Sequence, residues 1–484
     1  MSSQKVLMLG AGFVTKPTLA ILSDSGIEVS VACRTLDSAR KLAEGVKLAN
    51  PISLDVSDEK ALDVEVAKHD LVISLIPYTY HAIVIRSAIR QLKHVVTTSY
   101  VSPAMLELDQ QCKDAGITVM NEIGLDPGID HLYAVKVIEE VHKAGGKILS
   151  FLSYCGGLPA PEDSGNPLGY KFSWSSRGVL LALRNAASFY QGGKVVSVEG
   201  PELMATAKPY HITPGFAFVA YPNRDDILSS RLVRKNNANV LLKILRHTAS
   251  VPDSHRNLTD WPHANIPMKE RYNIPECQTI IRGGFPEFIK VLVDMGFLSD
   301  EEQEFLKTPC TWKEATAKIL GAQSDSEKDL FWAISSRATF KDTEQKEHLL
   351  AGLRWIGIFS DEKITPRGNP LDCLCATLEK KMQFEDGERD LVMLQHKFEI
   401  EHSNGARETR TSTLCEYGAP YGSGGYSAMA RLVGVPAAVA TILVLNGTIK
   451  QRGVLAPMSG EINEPLIKEL KEKYGIECIE KTIA

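Results

Sequence analysis

The feature that most constrains the fold is a short apolar run that breaks into two glycines: Val6-Leu7-Met8-Leu9, then Gly10-Ala11-Gly12, then Phe13-Val14-Thr15. A buried strand followed by Gly-x-Gly and the start of a helix reads as a dinucleotide-binding turn. The glycines permit a tight bend and close backbone approach, so that a pyrophosphate can rest on the helix N-terminus. Thr15 stands in place of a third glycine. An ordinary strand turn can also carry two glycines, but a position in the first βα unit favours the nucleotide reading. Further β-rich runs at Val29-Ser30-Val31-Ala32, Leu71-Val72-Ile73-Ser74-Leu75, Val95-Val96-Thr97-Thr98 and Thr118-Val119-Met120 alternate with helical stretches such as 15–25 and 36–44. This alternation predicts an α/β domain built on a parallel, doubly wound sheet.

The end of the second strand selects the nucleotide. An acidic residue there would accept the ribose 2′-hydroxyl of NAD, but this strand ends in Ala32-Cys33-Arg34-Thr35. Arg34 can clamp a 2′-phosphate, which predicts NADP(H), or it can be a solvated arginine at a helix cap. Leu54 and Asp55 follow the third strand, where Asp55 can contact adenine or act as a simple N-cap. The turn Ile76-Pro77-Tyr78 after the fourth strand is expected to border the nicotinamide.

Beyond residue 132 the pattern changes. Strand-like runs at Ile148–Tyr154 and Val195–Val198, with a helix expected over Val179–Tyr190, suggest a second α/β domain. Residues 286–380 read as helical, with Phe288, Val291, Leu292, Met295 and Phe297 on one face. Ser403-Asn404-Gly405 between two alternating runs predicts a hairpin. Residues 426–445 read as an apolar helix dominated by small residues, yet no window approaches a membrane span. A net charge of −5 gives no footprint for nucleic acid or an anionic membrane. The nine cysteines form neither a CxxC pair nor any metal-ligand spacing, so no metal site is expected and the thiols fit a reducing compartment. With no leader-like segment, the expected location is cytoplasmic.

One stretch departs from the rest. Between Asp226 and Pro267 the patterning is lost, and Arg231, Arg234, Lys235, Lys243, Arg246 and Arg256 face only Asp253 and Asp260. A surface loop this long without structure is uncommon, and translated intron sequence is the better explanation. It lacks the interleaved stacking aromatics of a nucleic-acid binder.

Three strand-end segments carry polar groups where plain turns would do: Thr97-Thr98-Ser99-Tyr100, Asn121-Glu122 through Asp130-His131, and Ser153-Tyr154-Cys155-Gly156-Gly157. With Asn166-Pro167-Leu168-Gly169-Tyr170, Tyr221-Pro222-Asn223-Arg224-Asp225 and Cys415-Glu416-Tyr417-Gly418, the chain closely resembles the fungal saccharopine reductases, nearly end to end. That family comprises NADP-dependent, L-glutamate-forming saccharopine dehydrogenases. The resemblance implies NADPH-dependent reductive condensation of 2-aminoadipate 6-semialdehyde with L-glutamate to give saccharopine, in lysine biosynthesis. It implies a variant Rossmann domain over 1–132 completed by about 426–484, and a mixed-sheet α/β domain over 133–285 and about 390–425. It also implies an inserted all-α domain over 286–389 and a homodimer. Small-molecule substrates are the expected partners.

By resemblance Ser99, Tyr100, Asp126 and Arg224 contact substrate, while Ser99, Leu125, Pro127 and Trp174 border the cofactor. Imine chemistry needs groups that tolerate an amine, a carbonyl and proton transfer between them, and Tyr100, Asp126 and Cys155 are the polar residues available. Asp126 can stabilise a cationic iminium or merely cap the helix after Pro127. Cys155 reads as supporting rather than nucleophilic, because nothing near it in sequence would lower its pKa. Two departures from the family stand out: roughly 40 extra residues before Lys269-Glu270-Arg271-Tyr272, and direct passage from Arg282-Gly283 to Gly284-Phe285-Pro286 where the family carries Thr-Leu-Arg-Tyr-Gln. The absent segment includes a substrate-binding arginine in the family. The alternatives are therefore an NADP-binding chain impaired in turnover, and a related dehydrogenase acting on another amine and aldehyde.

Overall fold

The computed structural model describes residues 4–191, 194–223 and 276–484. The first sheet is built from β1 (Lys5–Leu9), β2 (Glu28–Cys33), β3 (Ala49–Ser53), β4 (Leu71–Ser74), β5 (His94–Thr97) and β6 (Thr118–Met120). Later in the chain come β7 (Lys147–Pro159), β8 (Ala187–Gln191), β9 (Lys194–Val198), β10 (Lys208–Tyr210), β11 (Phe218–Pro222) and β12 (Glu276–Arg282). The last four are β13 (Asp390–Glu401), β14 (Arg407–Tyr417), β15 (Gly453–Leu455) and β16 (Ile479–Thr482).

The first sheet has the order β15-β6-β5-β4-β1-β2-β3, and each of its pairings is parallel. Its central strands β1 and β4 are almost wholly apolar and buried because both faces are covered, whereas the edge strand β3 is polar and partly exposed. In β1 the two-residue period divides the burden. Val6 and Met8 pack under the helices Lys16–Asp24 and Ala428–Leu445, while Leu7 and Leu9 pack under Glu59–Ala67 and His81–Gln91. Strand order reverses at β1, which lies between β2 and β4, so a crevice opens beyond the carboxyl ends of β1 and β4.

The second sheet is mixed, in the order β10-β11-β12-β7-β13-β14-β16, with β12 parallel to β7 and the other pairings antiparallel. Along β7, Tyr154 and Leu158 enter the core shared with the helical layer, while Phe151 and Cys155 point to the opposite face. The helical layer consists of Phe285–Asp294, Trp312–Leu320, Glu327–Arg337, Thr343–Ile356 and Pro370–Lys381. Phe288, Val291, Leu292, Met295 and Phe297 are all buried in it, as their spacing predicts. The hairpin at Ser403-Asn404-Gly405 is present, with Glu401 paired to Arg407.

Three expectations need correction. The helix expected over Val179–Tyr190 spans only Ser176–Ala182, and Ala187–Gln191 is instead β8, paired with β9. The aromatic pair Phe189-Tyr190 suits a strand better than a helix. The stretch 426–484 serves both sheets: β15 extends the parallel sheet beside β6, but β16 adds to the mixed sheet beside β14. Finally, Ala428–Leu445 does match a membrane span by length and composition, with mean hydropathy 2.0, yet 78% of it is buried within the fold. Asp390 accepts the Ala428 and Met429 N–H groups at its N-terminus, at 2.7 and 2.9 Å.

Candidate active site

The glycine turn is set by the backbone. Gly10 has φ 109°, and a Cβ there would lie 2.7 Å from the Leu75 carbonyl oxygen. The Gly10 N–H donates to the Ala32 carbonyl at 3.0 Å, which ties the turn to β2 as well as β4. Gly12, by contrast, is exposed, and a Cβ there meets nothing within 4 Å. Thr15 folds back so that its hydroxyl donates to the Gly12 carbonyl at 2.8 Å. The helix Lys16–Asp24 then begins with no side-chain cap, leaving its first N–H groups to the turn. Phe13 projects into solvent, and Ala11 and Val14 are half-buried. This cradle fits a pyrophosphate.

Arg34 and Thr35 are exposed beyond β2, and the Thr35 hydroxyl lies 2.7 Å from that of Ser38. Ser38 adds a second exposed hydroxyl beside that of Thr35, the residue after Arg34, and the sequence reading missed it although it stands three residues after Thr35. Cys33 is half-buried, and burial pushes its thiol up. Leu54 is buried beneath Asp55. Asp55 is not the helix N-cap: Asp58 accepts the Lys60 and Ala61 N–H groups. Asp55 instead takes the Ser57 hydroxyl and N–H at 2.7 and 2.9 Å, contacts that hold its carboxyl below the usual range. Ile76 packs against Gly10 and Pro77 is exposed, so both border the crevice.

At the carboxyl ends of β5 and β6 the chain brings two of the expected chemical residues together. The Tyr100 hydroxyl donates to Asp126 Oδ1 at 2.5 Å, and both side chains are half-buried. Asp126 precedes a cis peptide to Pro127. It does not cap the following helix, where Gly128 is the N-cap and Asp130 accepts its N–H. Leu125 and Pro127 are buried on either side. Ser99 hydrogen-bonds His81 at 2.8 Å, and His81 in turn bonds Ser74 at 2.8 Å. Burial pushes His81 down to about 4, so it is a neutral imidazole that bridges the two hydroxyls and orients Ser99. A lone histidine opening an amphipathic helix gave no signal of this in the sequence. Cys155 is 8% exposed, within the packed cluster that also holds Leu125, Ile129 and Met429. That burial suits a supporting role better than a nucleophile. Trp174 is half-buried and packs against the cores of both sheets, at their junction. Arg224 lies outside the described residues.

A parallel sheet with a glycine turn, joined to a mixed sheet and carrying a tyrosine–carboxylate pair on the same edge as that turn, defines a two-domain dinucleotide-dependent oxidoreductase. The chain belongs to the saccharopine dehydrogenase family. The model for the saccharopine dehydrogenase NADP binding domain matches residues 6–120, and that for the C-terminal domain matches 124–261 and 243–476. The saccharopine dehydrogenase [NADP(+), L-glutamate-forming] of Pyricularia oryzae is 69% identical over 489 positions, covering 100% of both chains. That of Saccharomyces cerevisiae is 56% identical, covering 99% of this chain and 100% of its own. The apo structure of the Saccharomyces cerevisiae enzyme superposes with a TM-score of 0.81 over 100% of both chains. The mitochondrial alpha-aminoadipic semialdehyde synthase of Bos taurus is 34% identical, but the match spans 48% of its length.

Proposed function

We propose that this chain is an NADP-dependent, L-glutamate-forming saccharopine dehydrogenase, acting as a saccharopine reductase. In the biosynthetic direction L-glutamate and 2-aminoadipate 6-semialdehyde condense and are reduced to saccharopine, within lysine biosynthesis. The observation that carries the reading is the Tyr100–Asp126 contact of 2.5 Å beyond the carboxyl ends of β5 and β6, on the same edge of the parallel sheet as the glycine turn after β1. NADPH, when bound, supplies the hydride. The protein's part is to bind, orient and move protons. Arg34, Thr35 and Ser38 would hold the 2′-phosphate, and Gly10 and Gly12 would let the backbone approach the pyrophosphate. Asp126, as a carboxylate, stabilises positive charge on the substrate nitrogen, and the Tyr100 hydroxyl holds a proton beside it. The neutral His81 fixes Ser99 for a substrate polar group. A cytoplasmic homodimer is part of the proposal, supported by the family resemblance and, for the compartment, by cysteines that form no disulfide among the described residues.

A second reading, an NADP-binding chain impaired in turnover, has its own support. The C-terminal family model matches in two overlapping stretches, and the overlap, 243–261, falls inside the anomalous 227–266 segment. The alignment to the Pyricularia enzyme is five positions longer than this chain, matching the five-residue deficit between Gly283 and Gly284. The deciding experiment supplies saccharopine and NADP+ to the 484-residue protein and to a version lacking 227–266 and regaining Thr-Leu-Arg-Tyr-Gln, and follows NADPH formation. Turnover by the repaired version alone supports the reaction and identifies the interruptions as lesions. Turnover by neither, with NADPH still bound, refutes the substrate assignment.

A further inference from the structure

Behind the Tyr100–Asp126 pair lies a cluster of ionisable side chains that the reaction does not touch. Glu122, Asp130 and His131 are 7%, 3% and 6% exposed. Burying three such groups together is unfavourable unless each is paired. Glu122 also holds φ 61°, a left-handed conformation that a glutamate adopts at a cost. The partners of these groups identify what the cluster does. Glu122 Oε1 accepts the Val101 N–H at 2.9 Å, the peptide that follows Tyr100. Asp130 Oδ1 accepts the Gly128 N–H at 2.5 Å, two residues beyond Asp126. His131 lies between them, with Nδ1 3.1 Å from Glu122 Oε2 and Nε2 3.5 Å from Asp130 Oδ2.

We propose that Glu122, His131 and Asp130 are positioning residues forming a buried ionic clamp, which joins the turn after β5 to the turn after β6 and thereby sets the Tyr100–Asp126 contact. The inference rests on the reading of that pair as substrate-facing. Burial disfavours the charged form of both His131 and Asp130 and pushes the Asp130 carboxyl up, but the attraction of Asp130 and Glu122 outweighs burial at His131 and holds the imidazole above its usual range, so the clamp places an imidazolium between two carboxyl groups. Nδ1 makes an ionic contact rather than an aligned hydrogen bond, so charge attraction contributes most of the grip on that side. Asp126 adds to the field that favours the charged imidazole, so the clamp and the reactive pair are also coupled electrostatically. His396 is buried near the same charge, and burial followed by repulsion from His131 pushes it down to about 3. It therefore stays neutral and does not compete for the carboxylates.

The test compares Glu122→Met, which fills the volume without an acceptor, with Glu122→Gln, which retains one. Tyrosine is ring-labelled, and the Tyr100 phenol resonance is assigned by its loss in Tyr100→Phe. In Glu122→Met the resonance moves toward that of free tyrosine, and kcat/KM for saccharopine falls by about 10- to 100-fold, the scale of loss from a misplaced reactive group. Glu122→Gln, which keeps the acceptor for the Val101 N–H but loses the charge facing His131, moves both in the same direction by a smaller amount, and neither substitution changes NADPH affinity, because the glycine turn and Arg34 are untouched. Equal effects of the two substitutions, or an unmoved resonance in Glu122→Met, would overturn the clamp. Should Glu122→Met fail to fold, Asp130→Ala against Asp130→Asn makes the same comparison on the other arm. The resonance needs no turnover, so an inactive parent would count against the proposed reaction alone and leave the clamp to be decided by the tyrosine signal.

Discussion

Gly10 and Gly12 are two residues apart yet serve different ends, and alanine at each separates them. At Gly10 the backbone has φ 109°, and the added Cβ would sit 2.7 Å from the Leu75 carbonyl oxygen and 3.1 Å from its carbon. Both are backbone atoms of a buried strand end and cannot swing aside. Strained φ contributes about 1–3 kcal/mol and forced overpacking about 1–3 kcal/mol, against which the stiffer unfolded chain returns only about 0.4–1 kcal/mol. Gly10→Ala should therefore destabilise the fold by about 1–5 kcal/mol before any ligand is added. At Gly12 the Cβ meets nothing within 4 Å and no left-handed φ is required, so stability should stay within about 0.5 kcal/mol of the parent. The empty space above Gly12 is where a pyrophosphate would approach the backbone, and a methyl group there should weaken NADPH by about 1–3 kcal/mol, roughly 10- to 100-fold in Kd. Denaturant titration followed by NADPH fluorescence titration reads both quantities. A Gly12→Ala protein that binds NADPH as the parent does would refute this placement of the pyrophosphate, whatever happens at Gly10.

Arg34→Ala should raise the Kd for NADPH by about 10- to 100-fold, the worth of one charge-assisted phosphate contact, while NADH binding stays the same; equal losses for both nucleotides in fluorescence titration would remove Arg34 from the 2′-phosphate. Glu408 is held down at about 2 by Arg410, Thr482 and His402 against an ordinary 4.5, so its stabilisation is present above about pH 4.5 and lost as pH falls through about 2. Melting midpoints of parent and Glu408→Gln should thus differ near neutrality and converge on acidification, and a pH-independent gap would show that the effect is packing. Excision of 227–266 should leave the melting midpoint unchanged or higher, as judged by calorimetry, because the register of β11 and β12 already pairs Pro222 with Gln278 and a short turn suffices to join them.

What the sequence made legible was whatever depends on local period and on turn residues. Val6 to Leu9 alternate between the two faces of one strand, and Ser403-Asn404-Gly405 sits in a hairpin, because such signals are short in range. Tyr100 and Asp126 stood out as polar groups at strand ends, but contact between these two residues, 26 apart in sequence, depends on β5 and β6 being neighbours in the sheet. Resemblance proposed the pair, and periodicity could not have done so. The roles of His81 and His131 were illegible for the same reason. Each acquires its partners from segments that only the tertiary fold brings together, and a buried histidine near the start of a helix has no distinctive sequence pattern. Phe189-Tyr190 failed differently: a helical apolar spacing upstream was extended too far into residues that prefer a strand.

The placement of the two interruptions bears on how such a chain would fail. Both fall on β12 or its connections, one on the link from β11 and the other on the Gly283-Gly284 turn into the helix Phe285–Asp294. None of the parallel sheet passes through them, and β15, which completes it, arrives from the far end of the chain. The glycine turn, Arg34, His81 and the Tyr100–Asp126 pair all lie on that sheet or its loops. β12, however, runs beside β7 with Thr279 opposite Cys155, so a shortened exit from β12 alters the mixed sheet where it meets the reactive segment. A defect there is expected to spare NADPH affinity and to raise KM for saccharopine before it lowers stability. That pattern separates a damaged substrate half from a misassigned cofactor, since a wrong cofactor would weaken nucleotide binding first.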